Sequence, residues 1–340
     1  MQINEIKNFC NKLGVSPNKN LGQNFLLDED VVKKMAEAAE LTNNDTVLEI
    51  GPGFGVLTEE LLPRVGRLIV VEKDKRLAEY LTKFKTQLTK PKNGFEIVNE
   101  DILKLSHGFM VSLFTSPNSL LIKEGSSTTE TMKQLNNETM SYKIVANLPY
   151  QITSPILWKF LHEEPLKTTD PLQTSPLSRG RAYATRPELM VLMVQKEVGE
   201  RICAAPGEMS VLSVMCQLYA ECEFLFEVKR DKFYPVPEVD SAVIKLKLKT
   251  QSTKLKTTTF PKPPPYKGGE LDERDFIRLV KFGFSARRKM LKNNLAAGLQ
   301  IPMAKAVAMM KNIGLDEKIR AQELSVEEWI KLYKRLTTND

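Results

Sequence analysis

Three glycines and one glutamate have types and spacing that allow them to act together. Gly51, Gly53 and Gly55 stand in TVLEIGPGFGVLTEELL, between a run that predicts a strand and a stretch that predicts a helix. Glycine at such a point lets the backbone turn sharply and approach a ligand closely. Glu72 ends the next apolar run, about 20 residues on, where a carboxylate can bind both hydroxyls of a ribose. We therefore predict a nucleoside-containing cofactor, with a tight turn that binds no ligand as the alternative.

The residues around the glycines distinguish between cofactors. A dinucleotide site usually has a third glycine at the sixth position of G-x-G-x-x-G, and that position here is Val56. Glu49, just before the loop, places a further carboxylate near the ligand, which suits a cation better than a pyrophosphate. S-adenosylmethionine has a ribose, an adenine and a positively charged sulfur but no phosphate. We therefore predict S-adenosylmethionine rather than NAD.

An aspartate follows the third apolar run. Asp101 lies in VNEDILKL, where its carboxylate can accept a hydrogen bond from the adenine amino group of the cofactor while Ile102 packs near the ring. An aspartate after a strand is also a common helix N-cap. The cofactor role is favoured because Asp101 is the third element in order, after the glycines and Glu72.

A polar and aromatic segment follows the fourth apolar run. In KIVANLPYQITSPI the run stops at Asn147, and Leu148, Pro149 and Tyr150 come next. Open α/β sheets bind ligands at the carboxyl ends of their strands, so this segment is expected beside the cofactor. A turn with Tyr150 in the core is the alternative. The order of the motif, after the glycine loop and the two acids, favours a functional role.

The same segment has the groups needed to methylate an aromatic amine. The lone pair of adenine N6 is delocalised into the ring, so this nitrogen is a poor nucleophile. Hydrogen bonds from its N–H groups to Asn147 Oδ1 and to the carbonyl of Leu148 or Pro149 favour a pyramidal nitrogen whose lone pair points at the methyl group. Pro149 has no N–H to compete and holds Leu148 extended. Tyr150 can stack on the base, which is worth roughly 1–3 kcal/mol, and no strong base is needed.

Short apolar runs and the stretches between them indicate the elements that hold these residues. Nearly continuous apolar runs predict strands covered on both faces, and helix-length stretches separate the first three, as in the βαβ units of a parallel sheet. The predicted strands are 46–50, 67–72, 95–101, 142–147 and 188–195, and the predicted helix over 28–41 has Asp28 as its N-cap. Further on, ECEFLFEVKR and SAVIKLKLK predict two antiparallel strands joined by a long loop.

Composition divides the rest of the chain. Residues 106–141 and 163–187 are rich in Ser and Thr together with Asn or Pro, which predicts surface insertions that are largely mobile. Residues 250–270 have few apolar side chains and predict an interdomain linker. We therefore predict a cofactor-binding domain over 1–249 and a small helical domain over 271–340.

The overall composition narrows the class of protein. The chain has 340 residues, and 42% of them are apolar, which favours a folded core over disorder. No apolar run approaches the roughly 18 residues of a membrane span, and the N-terminal stretch has acids and lacks the apolar segment of a secretory signal.

The four cysteines form no C-x-x-C pair, so free thiols in a cytosolic protein are expected rather than a disulfide or a metal site. We expect a cytoplasmic monomer, and its net charge of +7 permits an anionic partner.

As an ordered set, these motifs resemble the ribosomal RNA adenine dimethyltransferase family, and specifically its small-subunit type. The similar segments are LGQNFLLD, EIGPGFGVLT, Glu72, EDIL, NLPYQITSPIL, FYPVPEVDSAV and FGFSARRKMLKNNL. The resemblance implies a class I, Rossmann-like methyltransferase with a seven-stranded, mostly parallel sheet and a small C-terminal helical domain. It also implies dimethylation of N6 of two adjacent adenosines in the 3′-terminal hairpin loop of small-subunit rRNA, coupled to assembly of that subunit.

The resemblance also implies roles for individual residues. In the family the asparagine and leucine of GQNFL contact the cofactor, and here they are Asn24 and Leu26. Phe233, which opens FYPVP, would cover the other face of the target base, and a core aromatic is the alternative. The other positions that match family cofactor or motif residues are Gly51, Glu72, Asp101 and Asn147.

A basic run lies in the C-terminal part of the chain. Arg287, Arg288 and Lys289 are predicted on one helix, where they can bind phosphates. Such runs are often only solvated helix faces, but the family places this region near RNA, so we predict phosphate contact. Two rival functions remain open, an amino-methyltransferase for small molecules or proteins and a non-catalytic factor that binds immature small subunits.

Overall fold

The computed structural model describes residues 6–8, 10, 17, 22–87, 94–106, 109–110, 113–114, 141–161, 187–249 and 273–337. The chain divides into two compact units, Met1–Lys196 with Leu225–Leu248, and Glu197–Phe224 with Lys249–Asp340. This division differs from the expected boundary at residue 249, since a segment before it groups with the C-terminal helices. Most of the predicted insertion at 106–141, almost all of the insertion at 163–187 and the whole linker at 250–270 lie outside the described residues.

Seven strands form one sheet. Their bounds are Thr46–Ile50 for β2, Arg67–Val71 for β3, Gly94–Val98 for β4, Lys143–Asn147 for β5, Leu189–Gln195 for β6, Ala220–Val228 for β7 and Ser241–Leu248 for β9. Their order across the sheet is β4-β3-β2-β5-β6-β9-β7. The strands β2 to β6 pair in parallel where they are neighbours, and β9 pairs antiparallel with β6. The predicted Rossmann-like α/β fold with a mostly parallel sheet is thereby confirmed.

Helices alternate with the strands in the first unit, as the sequence pattern indicates. The helix α1 begins after Asp28, whose Oδ1 accepts hydrogen bonds from the backbone N–H groups of Asp30 and Val31, so the predicted N-cap is confirmed. Its buried face carries Val32 and Met35. The helices of this unit are α1 Glu29–Ala38, α2 Val56–Leu61, α3 Lys75–Gln87 and α4 Thr153–Leu161.

The parallel arrangement brings the segments that follow the strands to one edge of the sheet. The hydrogen bonds between neighbouring strands continue past the strand ends. Gly51 N–H donates to Val71 O at 2.9 Å, and Leu148 N–H donates to Met193 O at 3.1 Å. The glycine loop therefore starts beside the end of β3, and the segment after β5 starts beside β6. This edge is where an open α/β sheet binds its ligand.

The first unit also contains a second sheet, which has two strands. The strand β1, Phe25–Leu26, pairs antiparallel with β8, Phe233–Tyr234, so that Leu26 lies opposite Phe233. The long loop that was predicted between β7 and β9 therefore contains a short strand. Phe233 is only 1% exposed and belongs to the main hydrophobic core of this unit.

Helices form most of the described part of the second unit, which also includes residues 220–224 of β7. Its core contains Met209 and Val214 from the segment before residue 225, together with Phe276, Trp329 and Tyr333 from the C-terminal region. This packing explains why residues 197–224 group with the C-terminal helices. The helix α5, Lys196–Ile202, begins at the last residue of the first unit, and the helices that follow are α6 Val211–Tyr219, α7 Glu273–Gly283, α8 Leu291–Leu299, α9 Met303–Asn312 and α10 Val326–Thr337. Across the described residues, no helix combines the length and the apolar character that a membrane span requires.

The prediction that the basic run lies on a helix was wrong. Arg287, Arg288 and Lys289 are exposed and lie in the connection between α7, which ends at Gly283, and α8. Asn294 stabilises this connection, because its Nδ2 donates hydrogen bonds to the carbonyl oxygens of Gly283 at 2.5 Å and Ala286 at 3.1 Å. These side-chain bonds satisfy carbonyl groups at the end of α7 and so favour a turn there.

Candidate active site

A cavity of about 260 Å³ opens at the carboxyl edge of the parallel strands. It is bounded by β1, by the glycine loop and by the segments that follow β3, β4 and β5. The structure brings together around it the predicted residues Asn24, Leu26, Gly51, Gly53, Glu72, Asp101, Asn147, Leu148, Pro149 and Tyr150. The elements thus assemble residues that are more than 120 positions apart in the chain.

The glycine loop needs its glycines for two reasons. Gly51 has φ of +68° and Gly53 has φ of +60°, in the left-handed region that side chains disfavour. A Cβ atom at Gly53 would lie 3.1 Å from the ring of Phe25, which faces the loop from β1. The loop can therefore approach β1 closely and still border the cavity.

Glu72 is fixed at the end of β3 by backbone donors. Its Oε2 accepts a hydrogen bond from Gly53 N–H at 3.2 Å, and its Oε1 accepts one from Asp74 N–H at 2.8 Å. Burial raises the pKa of Glu72 to about 7, and these two donors oppose the increase. The carboxylate is thus rigid, borders the cavity and retains lone pairs for a polar ligand.

Glu49 is a second buried carboxyl group in the cavity wall. It is 1% exposed and accepts a hydrogen bond from Thr58 Oγ1 at 2.7 Å. Burial raises its pKa to about 8, since Thr58 compensates only in part, and Glu72 adds to the increase. A cation bound nearby would favour the ionised form of this group.

The charge of the cavity wall is predominantly negative. Among the described residues, Lys73 is the basic side chain in the wall. The acidic ones are Glu49, Glu72, Asp74, Glu100 and Asp101. This distribution suits a cationic ligand and disfavours a pyrophosphate.

Asp101 borders the cavity with both oxygens hydrogen-bonded. Oδ1 accepts from Leu103 N–H at 3.0 Å, and Oδ2 lies 2.9 Å from Lys73 Nζ. Burial opposes ionisation of this group, but Lys73 and the Leu103 N–H outweigh it and lower the pKa of Asp101 overall. Asp101 is therefore an ionised acceptor, and its ion-pair partner Lys73 is largely exposed.

Asn147 ends β5 with its side chain at the cavity. Its Nδ2 donates a hydrogen bond to the backbone carbonyl of Asn24 at 3.4 Å, and Asn24 Nδ2 donates to Gly22 O at 3.3 Å. The amide nitrogen of Asn147 is therefore used within the protein. Its Oδ1 accepts no hydrogen bond from the described residues, so it is the acceptor of this side chain that is left for a ligand.

The residues after Asn147 are held by bonds of both backbone and side chain. Pro149 O accepts from Ile152 N–H at 3.1 Å, which closes a 3₁₀ turn over Tyr150–Ile152. The hydroxyl of Tyr150 lies 2.8 Å from Ser241 Oγ, and burial raises the pKa of Tyr150, so this hydroxyl stays protonated. Tyr150 is half-buried and borders the cavity, so the alternative of a turn with this ring in the core is not what the structure shows.

Three features of the site differ from the sequence-based expectation. Phe233 lies in the core and does not line the cavity formed by the described residues, as the alternative of a core aromatic predicts. It is connected to the site through the pairing of β8 with β1. Gly22 and Gln151 border the cavity and were not predicted as site residues, although they lie within the motifs LGQNFLLD and NLPYQITSPIL. Ser241 was also not predicted, because nothing local in the sequence indicates its bond to Tyr150.

A sheet of this topology, with a ligand cavity at the ends of its parallel strands, is that of the Rossmann-like methyltransferases. Two solved structures share the fold. A dimethyladenosine transferase from Plasmodium falciparum matches with a TM-score of 0.63 and 22% identity, over 91% of this chain and 95% of that one. The 23S rRNA methyltransferase ErmE matches with a TM-score of 0.59 and 24% identity, over 93% of this chain and 100% of that one.

The chain belongs to the ribosomal RNA adenine dimethylase family, whose model matches residues 14–338. It is therefore an rRNA adenine dimethyltransferase. Among its relatives, the ribosomal RNA small subunit methyltransferase A of Dehalococcoides mccartyi is 37% identical over 94% of this chain and 89% of that protein. The protein of the same name from Natranaerobius thermophilus is 31% identical over 97% of this chain and 95% of that protein.

Proposed function

We propose that this protein dimethylates N6 of two adjacent adenosines in the 3′-terminal hairpin loop of small-subunit rRNA, with S-adenosylmethionine as the methyl donor. Family membership defines the class of reaction, and relatives named for the small subunit support that subunit as the substrate. The observation that carries the proposal is the orientation of Asn147. Its amide nitrogen is bonded to Asn24 O, so its oxygen is offered to the cavity.

The residues of the cavity fit S-adenosylmethionine. Glu72, rigid and buried, would accept the ribose hydroxyls, and Asp101 would accept the adenine amino group. The buried Glu49 is costly to ionise by itself, and a cationic ligand removes that cost. When bound, S-adenosylmethionine supplies an electrophilic methyl group on a positively charged sulfur. Gly51, Asn24 and Leu26 complete the wall around this ligand in the proposal.

The segment after β5 would hold the target base. Asn147 Oδ1 would accept one N–H of the adenosine amino group and the carbonyl of Leu148 the other, which favours a pyramidal nitrogen whose lone pair is less delocalised into the ring and points at the methyl group. Leu148 is the better second acceptor, because the carbonyl of Pro149 already bonds Ile152 N–H. The ring of Tyr150 stacks on the base and keeps water away from the reacting nitrogen.

The second unit would supply contacts to the RNA backbone. We propose that residues 271–340 form an RNA-binding helical domain in which Arg287, Arg288 and Lys289 contact phosphates. The three side chains are exposed, adjacent and carried by a loop that Asn294 holds in place. Phosphate contacts of this kind position RNA without reading its sequence.

The proposal extends to the cellular role. A target base must be unstacked to enter a cavity of this kind, so a hairpin loop in an immature small subunit is a suitable substrate. We propose that the protein acts in the cytoplasm as a monomer and that its activity is coupled to assembly of the small subunit. An Asn147→Ala variant that restores assembly without methylation would show that binding, rather than chemistry, serves the assembly role.

Mass spectrometry of the modified RNA tests the proposed reaction. Small subunits that lack the modification are incubated with the protein and isotope-labelled S-adenosylmethionine, and the rRNA is digested to nucleosides and short fragments. Labelled N6,N6-dimethyladenosine in the 3′-terminal hairpin fragment is the expected product, and Asn147→Ala serves as the matched inactive variant. Label in another fragment, or label only in protein or small molecules, would refute the proposal.

A further inference from the structure

The hydroxyl of Tyr150 has a specific partner outside the cavity. Tyr150 borders the cavity, and its Oη lies 2.8 Å from Ser241 Oγ, although the two residues are 91 positions apart. Ser241 is fully buried and does not line the cavity formed by the described residues. Its recorded connection to this cavity is therefore the hydrogen bond to Tyr150.

Ser241 is held in a rigid part of the first unit. It is the first residue of β9 and pairs with Gln195 of β6. The preceding residue, Asp240, is bonded on several sides, because its carbonyl accepts from Lys196 N–H at 3.0 Å and its Oδ1 accepts from Arg230 N–H at 2.9 Å. Lys229 Nζ also lies 3.0 Å from Asp240 Oδ2. The serine hydroxyl thus has a fixed position in the protein.

A stacking ring needs no hydroxyl, so the bond to Ser241 requires an explanation. Phenylalanine offers the same flat face, while a buried hydroxyl destabilises a protein unless it is hydrogen-bonded. A bond at the far end of the ring restrains rotation about the Tyr150 side-chain torsions and so fixes the plane of the ring. Fixing that plane before the base arrives reduces the entropy lost on binding.

We infer that Ser241 is a positioning residue, which holds the ring of Tyr150 in the plane that the target adenine stacks on. The inference rests on the proposed function, in which Tyr150 stacks on the base. Ser241 touches neither base nor cofactor in this scheme. Its effect passes through one hydrogen bond, which makes it separable from the other contacts of the site.

The test compares Ser241→Ala, Tyr150→Phe and the double variant. The probe is small-subunit rRNA hairpin with 2-aminopurine in place of one target adenosine, whose fluorescence is quenched when the base stacks on an aromatic ring. Both single variants are expected to lower quenching at saturation and to reduce kcat/KM on unmethylated small subunits about three- to tenfold. The double variant is expected to match the single ones, since all three lack the same bond.

Ser213→Ala is the matched control for a lost buried serine. Ser213 is fully buried in the second unit and donates to Arg201 O at 2.5 Å, so its loss lowers stability without affecting Tyr150. If Ser241→Ala fails to fold, Tyr150→Phe still removes the bond from the cavity side. The inference would be overturned if the losses of kcat/KM added up in the double variant. It would also be overturned if a folded Ser241→Ala or Tyr150→Phe protein quenched the fluorescence as the wild-type protein does. Absence of quenching and of methylation with the wild-type protein would instead refute the proposed function itself.

Discussion

The side-chain nitrogen of Asn147 donates to the backbone carbonyl of Asn24 at 3.4 Å, across 123 positions of the chain. This bond joins the end of β5 to the segment just before β1, and it determines which end of the amide faces the cavity. A carboxylate could not replace it, because aspartate has no N–H to donate to a carbonyl. The bond therefore explains why an amide rather than an acid stands at this position.

Replacing Asn147 should impair the chemical step more than binding. Asn147→Ala removes the acceptor that the proposed function assigns to the reacting amino group, and we expect kcat to fall about 10²- to 10³-fold, as when one preorganised polar contact is lost. Asn147→Asp should not restore the rate, because its carboxylate is repelled by Asn24 O. Steady-state kinetics and calorimetric binding of S-adenosylmethionine measure the two effects, with the exposed Asn312→Ala as the control. A substantial rate for Asn147→Asp would contradict this role of the amide.

Glu49 should make the stability of the ligand-free protein depend on pH. Its pKa is about 8 in the folded protein and near 4.5 when unfolded, so the folded state binds more protons between these values. The contribution of Glu49 to stability should therefore be complete below about pH 4.5 and be lost as pH rises to about 8, with Glu72 contributing in the same direction up to about 7. Urea unfolding at pH 6 and 8.5 measures the difference. Glu49→Gln should reduce the dependence, and an unchanged dependence would show that Glu49 is not protonated in the fold.

Glu72 should be the carboxylate on which cofactor affinity depends. In Glu72→Gln, one oxygen becomes an amide nitrogen, which cannot accept from Gly53 N–H or Asp74 N–H. We expect the Kd for S-adenosylmethionine to rise about 10- to 100-fold, the usual effect of losing hydrogen bonds to a charged group. Calorimetry with the exposed Glu37→Gln as control checks this. Equal affinities in both variants would mean that the ribose lies elsewhere.

Much of the site could be predicted because it lies at strand ends. The glycine loop, Glu72, Asp101 and Asn147 each follow a buried apolar run, and the carboxyl ends of parallel strands meet at one edge. The order of these residues in the chain is therefore sufficient to place them together. Gly22 and Gln151 could have been predicted by the same reasoning, because they are close in the chain to Asn24 and Asn147.

The features that could not be predicted depend on contacts between distant segments, which no local sequence pattern encodes. Phe233 has the same local signal whether its ring faces a ligand or the core, and only the pairing of β8 with β1 decides between them. The run Arg287–Lys289 contains residues with high helix propensity, but Asn294 bonds the carbonyls of the preceding turn and the helix ends earlier. The bond of Ser241 to Tyr150 is of the same tertiary kind.

Phe233 allows a test of whether its ring acts in the core or on the target base. If it acts as a core residue, Phe233→Ala should lower the free energy of unfolding by about 3–5 kcal/mol. It should also weaken cofactor binding, because β8 supports β1, which carries Leu26 in the cavity wall. Chemical denaturation and calorimetry measure both effects, and Phe233→Leu should be intermediate. A variant of normal stability and normal cofactor affinity, with a large loss of kcat on small subunits, would instead place the ring on the base.

The basic connection between α7 and α8 should contribute salt-dependent RNA affinity. Reversing Arg287 and Arg288 to glutamate would remove the proposed phosphate contacts and add repulsion, so the affinity for small-subunit rRNA should fall. The slope of log affinity against log salt should decrease by about one unit for each lost contact. Cofactor affinity should be unaffected, because these side chains are exposed and belong to the other unit. Filter binding at several salt concentrations measures the slope, and Lys305→Glu with Lys318→Glu is a control of equal charge change on exposed residues of the same unit. If both pairs change the slope equally, net charge explains the binding and the basic connection has no specific role.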